Sequence, residues 1–396
     1  ATCRWARRAR PGTRAPGRCP SACRYAASGT EGRACTVLTE STGTLVLEGA
    51  KGCPDQVHPN AEGRGYYHAL LLGDGLARLA RRGGSGLSVP ERLVLMDDAE
   101  ALVASGDLDV AQALTLATKL LRPEDSDLRP EDTALIAGAA GVVGGVRDDY
   151  VPDTRVPHRA RFVQGLFGGL ARRLGFVSRP GEGEDQGMLR PLLVWMVANV
   201  GQDAALRAEA RKLAVRWLED RSSLTSDEAW AVLSTAAAEG DAALHQRLRE
   251  ALRTTSDSRE RQLLFSALGT FRDAALSRAS LELLLAPEVD AREALPILFG
   301  LLSETPTREV AFDFLREHFE PLRQRLPRDT ATWLLATGGA FCDAEHRQQV
   351  ADFFGPHSKQ IEGGERVLAQ SLERVDLCIA QRAALRPGLE RFLGRY

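Results

Sequence analysis

The chain has 396 residues, 44% hydrophobic and 26% charged, enough to bury a substantial core as one elongated domain or two rather than one compact unit. Its 51 basic and 53 acidic residues leave a net charge of −2, which excludes the electropositive footprint of a dedicated nucleic-acid binder. No apolar run reaches the roughly 18 residues of a membrane-spanning helix, so the protein reads as soluble, with no membrane span.

The first thirty residues, "ATCRWARRARPGTRAPGRCPSACRYAASGT", carry seven arginines and no acidic residue. Pro11, Pro16 and further arginines stand where a secretory leader needs its apolar stretch, so no targeting segment is read. Residues 1–22 read as a basic tail, disordered or translated out of frame from GC-rich DNA. Cys3, Cys19, Cys23, Cys35 and Cys53 fall within this beginning, and only Cys342 and Cys378 follow. The Cys19-x3-Cys23 spacing with Cys35 and Cys53 is a loose zinc pattern without a second close pair or a histidine at ligand spacing. A Cys35–Cys53 bridge would suit an exported protein, and free thiols are the default. Cys342 and Cys378, each beside apolar residues, are read as small core residues.

Residues 23–55 include "ACTVLTESTGTLVLEGA", which predicts short strands at about 35–39 and 43–48. Two strands are too few to fold alone, so a sheet upstream or another chain is expected to pair with them. Next, "VHPNAEGRGYYHALLL", residues 57–72, packs a proline, two glycines and paired tyrosines ahead of an apolar run, a turn feeding an ordered element.

From residue 56 to 396 the period is helical. "SVPERLVLMDDAEALVASG" has Ser88 as N-cap, Pro90 in the first turn, Glu91 to close a capping box and Gly106 as a stop. Asp109 opens a helix ending near Leu121, Pro130 opens one ending near Val146, and "HRARFVQGLFGGLARRLGF" fills another. Further helices are expected at 188–200, 203–219, 226–239, 241–253, 256–268, 273–285, 290–302, 306–319, 343–354 and 363–384. Short breaks between them require antiparallel neighbours. The fold class is therefore mostly α, an armadillo- or HEAT-like superhelix of antiparallel helix pairs, with no residue signature at a fixed period.

No catalytic motif is legible. The histidines, His58, His68, His158, His245, His318, His346 and His357, are scattered and none begins an H-E-x-x-H. No G-x-S-x-G or phosphate-binding loop occurs. "GLFGG" and "GAAGVVGG" are read as sites of close helix contact, and the acidic pairs Asp97-Asp98, Glu124-Asp125 and Asp148-Asp149 as solvated or dipole-complementing groups. Trp195, Trp217, Trp230 and Trp333 are read as core anchors.

"PNAEGRGYYH" resembles the P-N-x-x-G-x-G-Y-Y-R lead-in to the C-terminal helical domain of zinc aminopeptidases of the aminopeptidase N type, which include the endoplasmic-reticulum aminopeptidases. "SVPERLVLMDDAEALVASGDLD", "RRLGFVSRPGEGEDQGMLRPLLVWMVANVGQDAALRAEARKLAVRWL", "RERQLLFSALGTFRDAALSRASLELLL", "FCDAEHRQQVADFF" and "GGERVLAQSLERVD" follow in that family's order. His68 departs from the pattern, which usually has Arg. The resemblance implies that "ACTVLTE" and "GTLVLEG" are the last strands of a small β-sandwich.

It further implies a non-catalytic C-terminal region that covers the active site of a metallopeptidase and encloses its peptide-substrate cavity. The family's HExxH and GxMEN motifs belong to an upstream catalytic domain and are missing from this chain. No catalytic or metal-binding residue is therefore carried over, the substrate-binding residues stay unassigned, and zinc is expected only in a missing or separate catalytic domain. Peptides and a separately encoded catalytic chain are the implied partners, and the chain is expected to be inactive alone. The alternative is a stand-alone helical-repeat module that binds peptides or a protein.

Overall fold

The computed structural model describes residues 2–6, 19–27, 29–40, 42–50, 52–81, 86–121, 130–328 and 330–396. They form two compact units, Ala1–Val146 and Arg147–Tyr396.

The first unit opens with strands β1 (Thr2–Ala6), β2 (Cys19–Ala27), β3 (Thr30–Leu38), β4 (Thr42–Val46) and β5 (Gln56–His58). The two expected strands are β3 and β4, and both find partners within the chain: β1 pairs antiparallel with β4, and β2 lies between β3 and β5. Within residues 1–22, read from the sequence as a basic tail, β1 and the start of β2 are strand; residues 7–18 fall outside the described residues. The reason is legible afterwards. Ser21, Cys23, Tyr25 and Ala27 are buried in strict alternation with half-buried residues, a strand period carried by Ala, Ser, Cys and Arg instead of Val and Ile. Cys23, Tyr25, Leu45 and Leu47 close a small core. Cys35 and Cys53 are exposed free thiols, so the bridge considered between them is not formed.

The glycine-rich turn explains itself atom by atom. Asn60 donates through Nδ2 to the Gly65 carbonyl (2.9 Å) and accepts the Gly65 N–H at Oδ1 (2.8 Å), while the Tyr67 hydroxyl donates to the Pro59 carbonyl (2.7 Å). A Cβ on Gly65 would sit 2.2 Å from the Tyr67 ring, so only glycine fits. Helices α1 (Gly75–Arg81), α2 (Val89–Ser105), α3 (Val110–Leu120) and α4 (Pro130–Gly144) follow. Glu91 closes the α2 capping box by accepting the Ser88 N–H (3.0 Å). Its fully buried carboxylate also accepts from Arg24 on β2 and, at 3.3 Å, from the Glu62 N–H in the turn, and His58 on β5 lies against its backbone carbonyl (3.1 Å). One carboxylate thus ties sheet, turn and helix.

The second unit comprises α5 (Val156–Val163), a π-turn (Gln164–Gly168), α6 (Gly169–Leu174), α7 (Glu184–Asn199), α8 (Ala204–Glu219), α9 (Ser226–Ala238), α10 (Ala242–Thr254), α11 (Ser258–Leu268), α12 (Ala274–Leu281), α13 (Ala291–Ser303), α14 (Arg308–Glu317), α15 (Phe319–Arg325), α16 (Ala331–Ala336), α17 (Ala344–Ser358) and α18 (Gly364–Leu393). The N-termini are set by side-chain caps: Asp203, Thr225, Asp241, Asp257, Asp273, Asp290 and Asp343 each accept a first-turn N–H, satisfying donors that the helix cannot. Packing runs helix to next helix and helix to next-but-one. The α7, α9, α11 and α13 helices stack in one layer, with α8 against α10 and α12 against α14 in the other, the two-layer stacking of an armadillo- or HEAT-like array. The short α15 and α16 and the extension of α18 to Leu393 were not expected from the sequence.

Cys342 and Cys378 are buried as expected, but as a disulfide that joins the start of α17 to α18. His245 is 4% exposed, holds Ser280 Oγ at 2.9 Å and sits edge-on to Phe271. Burial, with Arg249 nearby, pulls its pKa from 6.5 to about 4. The fold therefore favours the neutral ring: this stability is complete above pH 6.5 and is lost as pH falls toward 4, by roughly 3 kcal/mol. Urea unfolding followed by tryptophan fluorescence between pH 7 and 4.5 should show that slope, and His245→Gln should flatten it.

Candidate functional site

The two layers of the second unit present different chemistry to solvent. Across the α8, α10, α12 and α14 layer, cations are spent on neighbouring helices: Arg211 pairs with Asp241, Arg247 with Glu219 (3.2 Å) and Arg278 with Glu317. Such pairs are individually weak but leave a solvated, self-satisfied surface. The α7, α9, α11 and α13 layer instead shows bulky apolar groups. Met188 is 75% exposed, and Leu192, Trp230 and Phe299 are each exposed by more than a third, as is Trp333 on α16. The Trp195 and Trp230 rings stack at 6.2 Å, and Phe299 and Trp333 approach to 6.3 Å. Trp217 is buried as the sequence reading has it, but Trp230 and Trp333 are surface rings and Trp195 is half-buried. Helical periodicity placed them on apolar faces, but in a two-layer array one side of a helix faces solvent even where its neighbours pack on both flanks.

A groove of about 520 Å³ lies between the first halves of α9 and α11. Trp230 forms its apolar wall, Arg259 and Asp227 supply opposite charges, and Ser226, Gln262 and Ser266 add hydrogen-bonding groups. The Arg259 guanidinium has no ion-pair partner among the described residues, unlike Arg261 two residues on, which holds Glu293 at 2.9 Å. An aromatic wall, a free guanidinium and amide and hydroxyl groups fit a peptide: side chains on the ring, carboxylate on the Arg, backbone on the polar rim.

The titratable groups that the sequence singled out are taken up in structure. His346 lies between Asp343 and Glu309 and stacks on Phe341, His357 faces Glu320, His158 meets the Leu393 carbonyl and His318 lies beside Glu317. Asp148 holds Arg159 (2.7 Å) and Asp149 holds Arg308 (2.7 Å) in a nearly buried pair; Glu124 and Asp125 lie outside the described residues. His68, standing where Arg is usual, keeps an acidic partner, Asp98, at 3.1 Å. Desolvation lifts the Asp98 pKa to about 6 against the Ala69 N–H and His68, which hold it down. Among the described residues no three His, Cys, Asp or Glu side chains come together to hold a metal.

Residues 57–377 match the family model for the ERAP1-like C-terminal domain. Aminopeptidase M1-B of Oryza sativa subsp. japonica is 24% identical over 359 residues, covering 87% of this chain and 39% of its own length. Aminopeptidase M1 of Arabidopsis thaliana is 24% identical over 352 residues, covering 86% and 39%. The chain thus spans well under half the length of these relatives.

Proposed function

The chain belongs to the ERAP1-like C-terminal domain family, and from that premise we propose that it is the non-catalytic C-terminal region of a zinc metalloaminopeptidase, one that lines the substrate chamber and holds the distal part of a peptide. The aromatic face carries this reading. Large apolar surfaces are rarely left in water without a ligand or partner, and this one is accompanied by the Arg259 guanidinium, which has no ion-pair partner among the described residues. In the reading, Trp230 and the rings beside it pack peptide side chains, Arg259 meets a carboxylate, and hydrolysis happens on a catalytic portion that carries the zinc.

The test is hydrolysis of aminoacyl-naphthylamides and of peptides of about ten residues by the purified chain with added zinc, alone and with the polypeptide encoded immediately upstream. Activity should require the upstream polypeptide. Trp230→Ala and Arg259→Ala should then raise KM for the long peptides by roughly tenfold, the weight of one interface anchor, and leave the short substrates unchanged. Peptide binding by the chain with no activity in either mixture would favour the stand-alone binding module, and zinc-dependent hydrolysis by the chain alone would overturn the reading.

A further inference from the structure

The groove between α9 and α11 holds two opposite charges that do not pair with each other. Asp227 is the second residue of α9 and Arg259 the second residue of α11, so two neighbouring helices present them from equivalent positions. Both are exposed and both line the groove. Neither side chain has an ion-pair or hydrogen-bond partner among the described residues, and the same holds for the side chains of Ser226, Gln262 and Ser266 beside them.

Helix stability accounts for only one of the two charges. An acidic group in a first turn complements the positive end of the helix dipole, as Asp227 does on α9, whereas a cation in that position opposes it. Arg259 therefore stands against the field of its own helix, a cost that a bound anion offsets. The groove, at about 520 Å³, has the size of a small-molecule site.

We propose that this groove binds a free amino acid with a large apolar side chain, as its zwitterion: the α-carboxylate on Arg259, the α-ammonium on Asp227 and the side chain against Trp230 and Leu263. The choice of occupant rests on the function proposed above, since a free amino acid is what an aminopeptidase releases. The distal end of a peptide satisfies only half of this arrangement. It brings a carboxylate to Arg259 but a neutral amide to Asp227, leaving the aspartate without a cation. The free amino acid meets both with charge-assisted hydrogen bonds. It thus competes with long peptides for Arg259 and slows their turnover as product accumulates.

Titration of the purified chain with L-leucine, followed by calorimetry and tryptophan fluorescence, tests the site against L-leucinamide, which lacks the carboxylate, and N-acetyl-L-leucine, which lacks the ammonium. L-leucine should bind, and each blocked form should bind at least about tenfold more weakly. Arg259→Gln should erase the preference over the amide and keep the preference over the acetyl form; Asp227→Asn should do the reverse. Misfolding does not produce that crossed pattern, and both positions are exposed enough to leave the unit folded. With the upstream polypeptide added, L-leucine should raise KM for the long peptides more than for the naphthylamides, and Asp227→Asn should remove the difference. Failure of L-leucine to bind, or equal binding of either blocked form, would overturn the zwitterion site, while sparing the proposed function if Trp230→Ala and Arg259→Ala still raise KM for long peptides. The crossed pattern without any effect of those two variants on KM would keep the site and overturn the groove's role in holding peptide.

Discussion

Replacing Glu91 with alanine should destabilise the first unit by about 3–5 kcal/mol, the cost of removing one partner from a buried ion pair. Nothing of the Glu91 side chain reaches solvent, yet Arg24, the Ser88 N–H and the Glu62 N–H converge on it. Truncation strands the Arg24 charge and two backbone donors at once. The unpaired donors are what make the change expensive, since the side chain itself contributes little apolar area. Burial raises the Glu91 pKa, but the hydrogen bonds from Arg24, Ser88 and Glu62 outweigh it and leave it below the usual carboxylate range. This stabilisation is therefore present above the unfolded-state pKa near 4 and is lost as pH falls through the lower folded value. Urea unfolding with hydrogen exchange on β5 and α2 reads the effect. Glu100→Ala, on the exposed side of the same helix, should cost under about 0.5 kcal/mol. A loss below 1 kcal/mol at Glu91 would show that the sheet, turn and helix are not held through this carboxylate.

The same residue marks what the sequence could and could not disclose. Ser88, Pro90 and Glu91 announced a capping box through local spacing alone, and the box is there. That Glu91 also serves Arg24, 67 residues away, depends on a strand written in "CPSACRYAA", whose residues have weak β propensity. The helices from α8 to α14 were legible within a few residues because each begins at an Asp or Thr N-cap position and ends near a glycine or polar break. α15 and α16 were not, because "PLRQRLPRDTATWLLATGG" sets two prolines and a pair of glycines across short apolar stretches. The absence of HExxH could be read directly. The aromatic face could not: Trp217 and Trp230 have similar apolar neighbours in sequence, and only the stacking of α9 between α7 and α11 leaves Trp230 outside while Trp217 goes in.

Cys342 and Cys378 carry the same lesson into energetics. Read along the chain they are two small apolar residues, and as such each would be worth little more than an alanine. The fold brings their Cα atoms to 5.1 Å, and the bond closes a loop with a sequence separation of 36. Restricting the unfolded chain by a loop of that size stabilises the native state by about 4 kcal/mol in the chain-entropy account. The Cys342→Ala/Cys378→Ala double variant should therefore lower the Tm of the second unit by roughly 10 °C, whereas Cys35→Ala and Cys53→Ala, at exposed free thiols, should move it by less than about 2 °C. Both bridged sulfurs belong to residues no more than 2% exposed, so a reductant reaches them through unfolding. Reduction at 25 °C should consequently run at the unfolding rate and level off as reductant concentration rises. Reduction that stays proportional to reductant, with no change in Tm on removing the pair, would mean that the bridge is not a constraint on this half of the molecule.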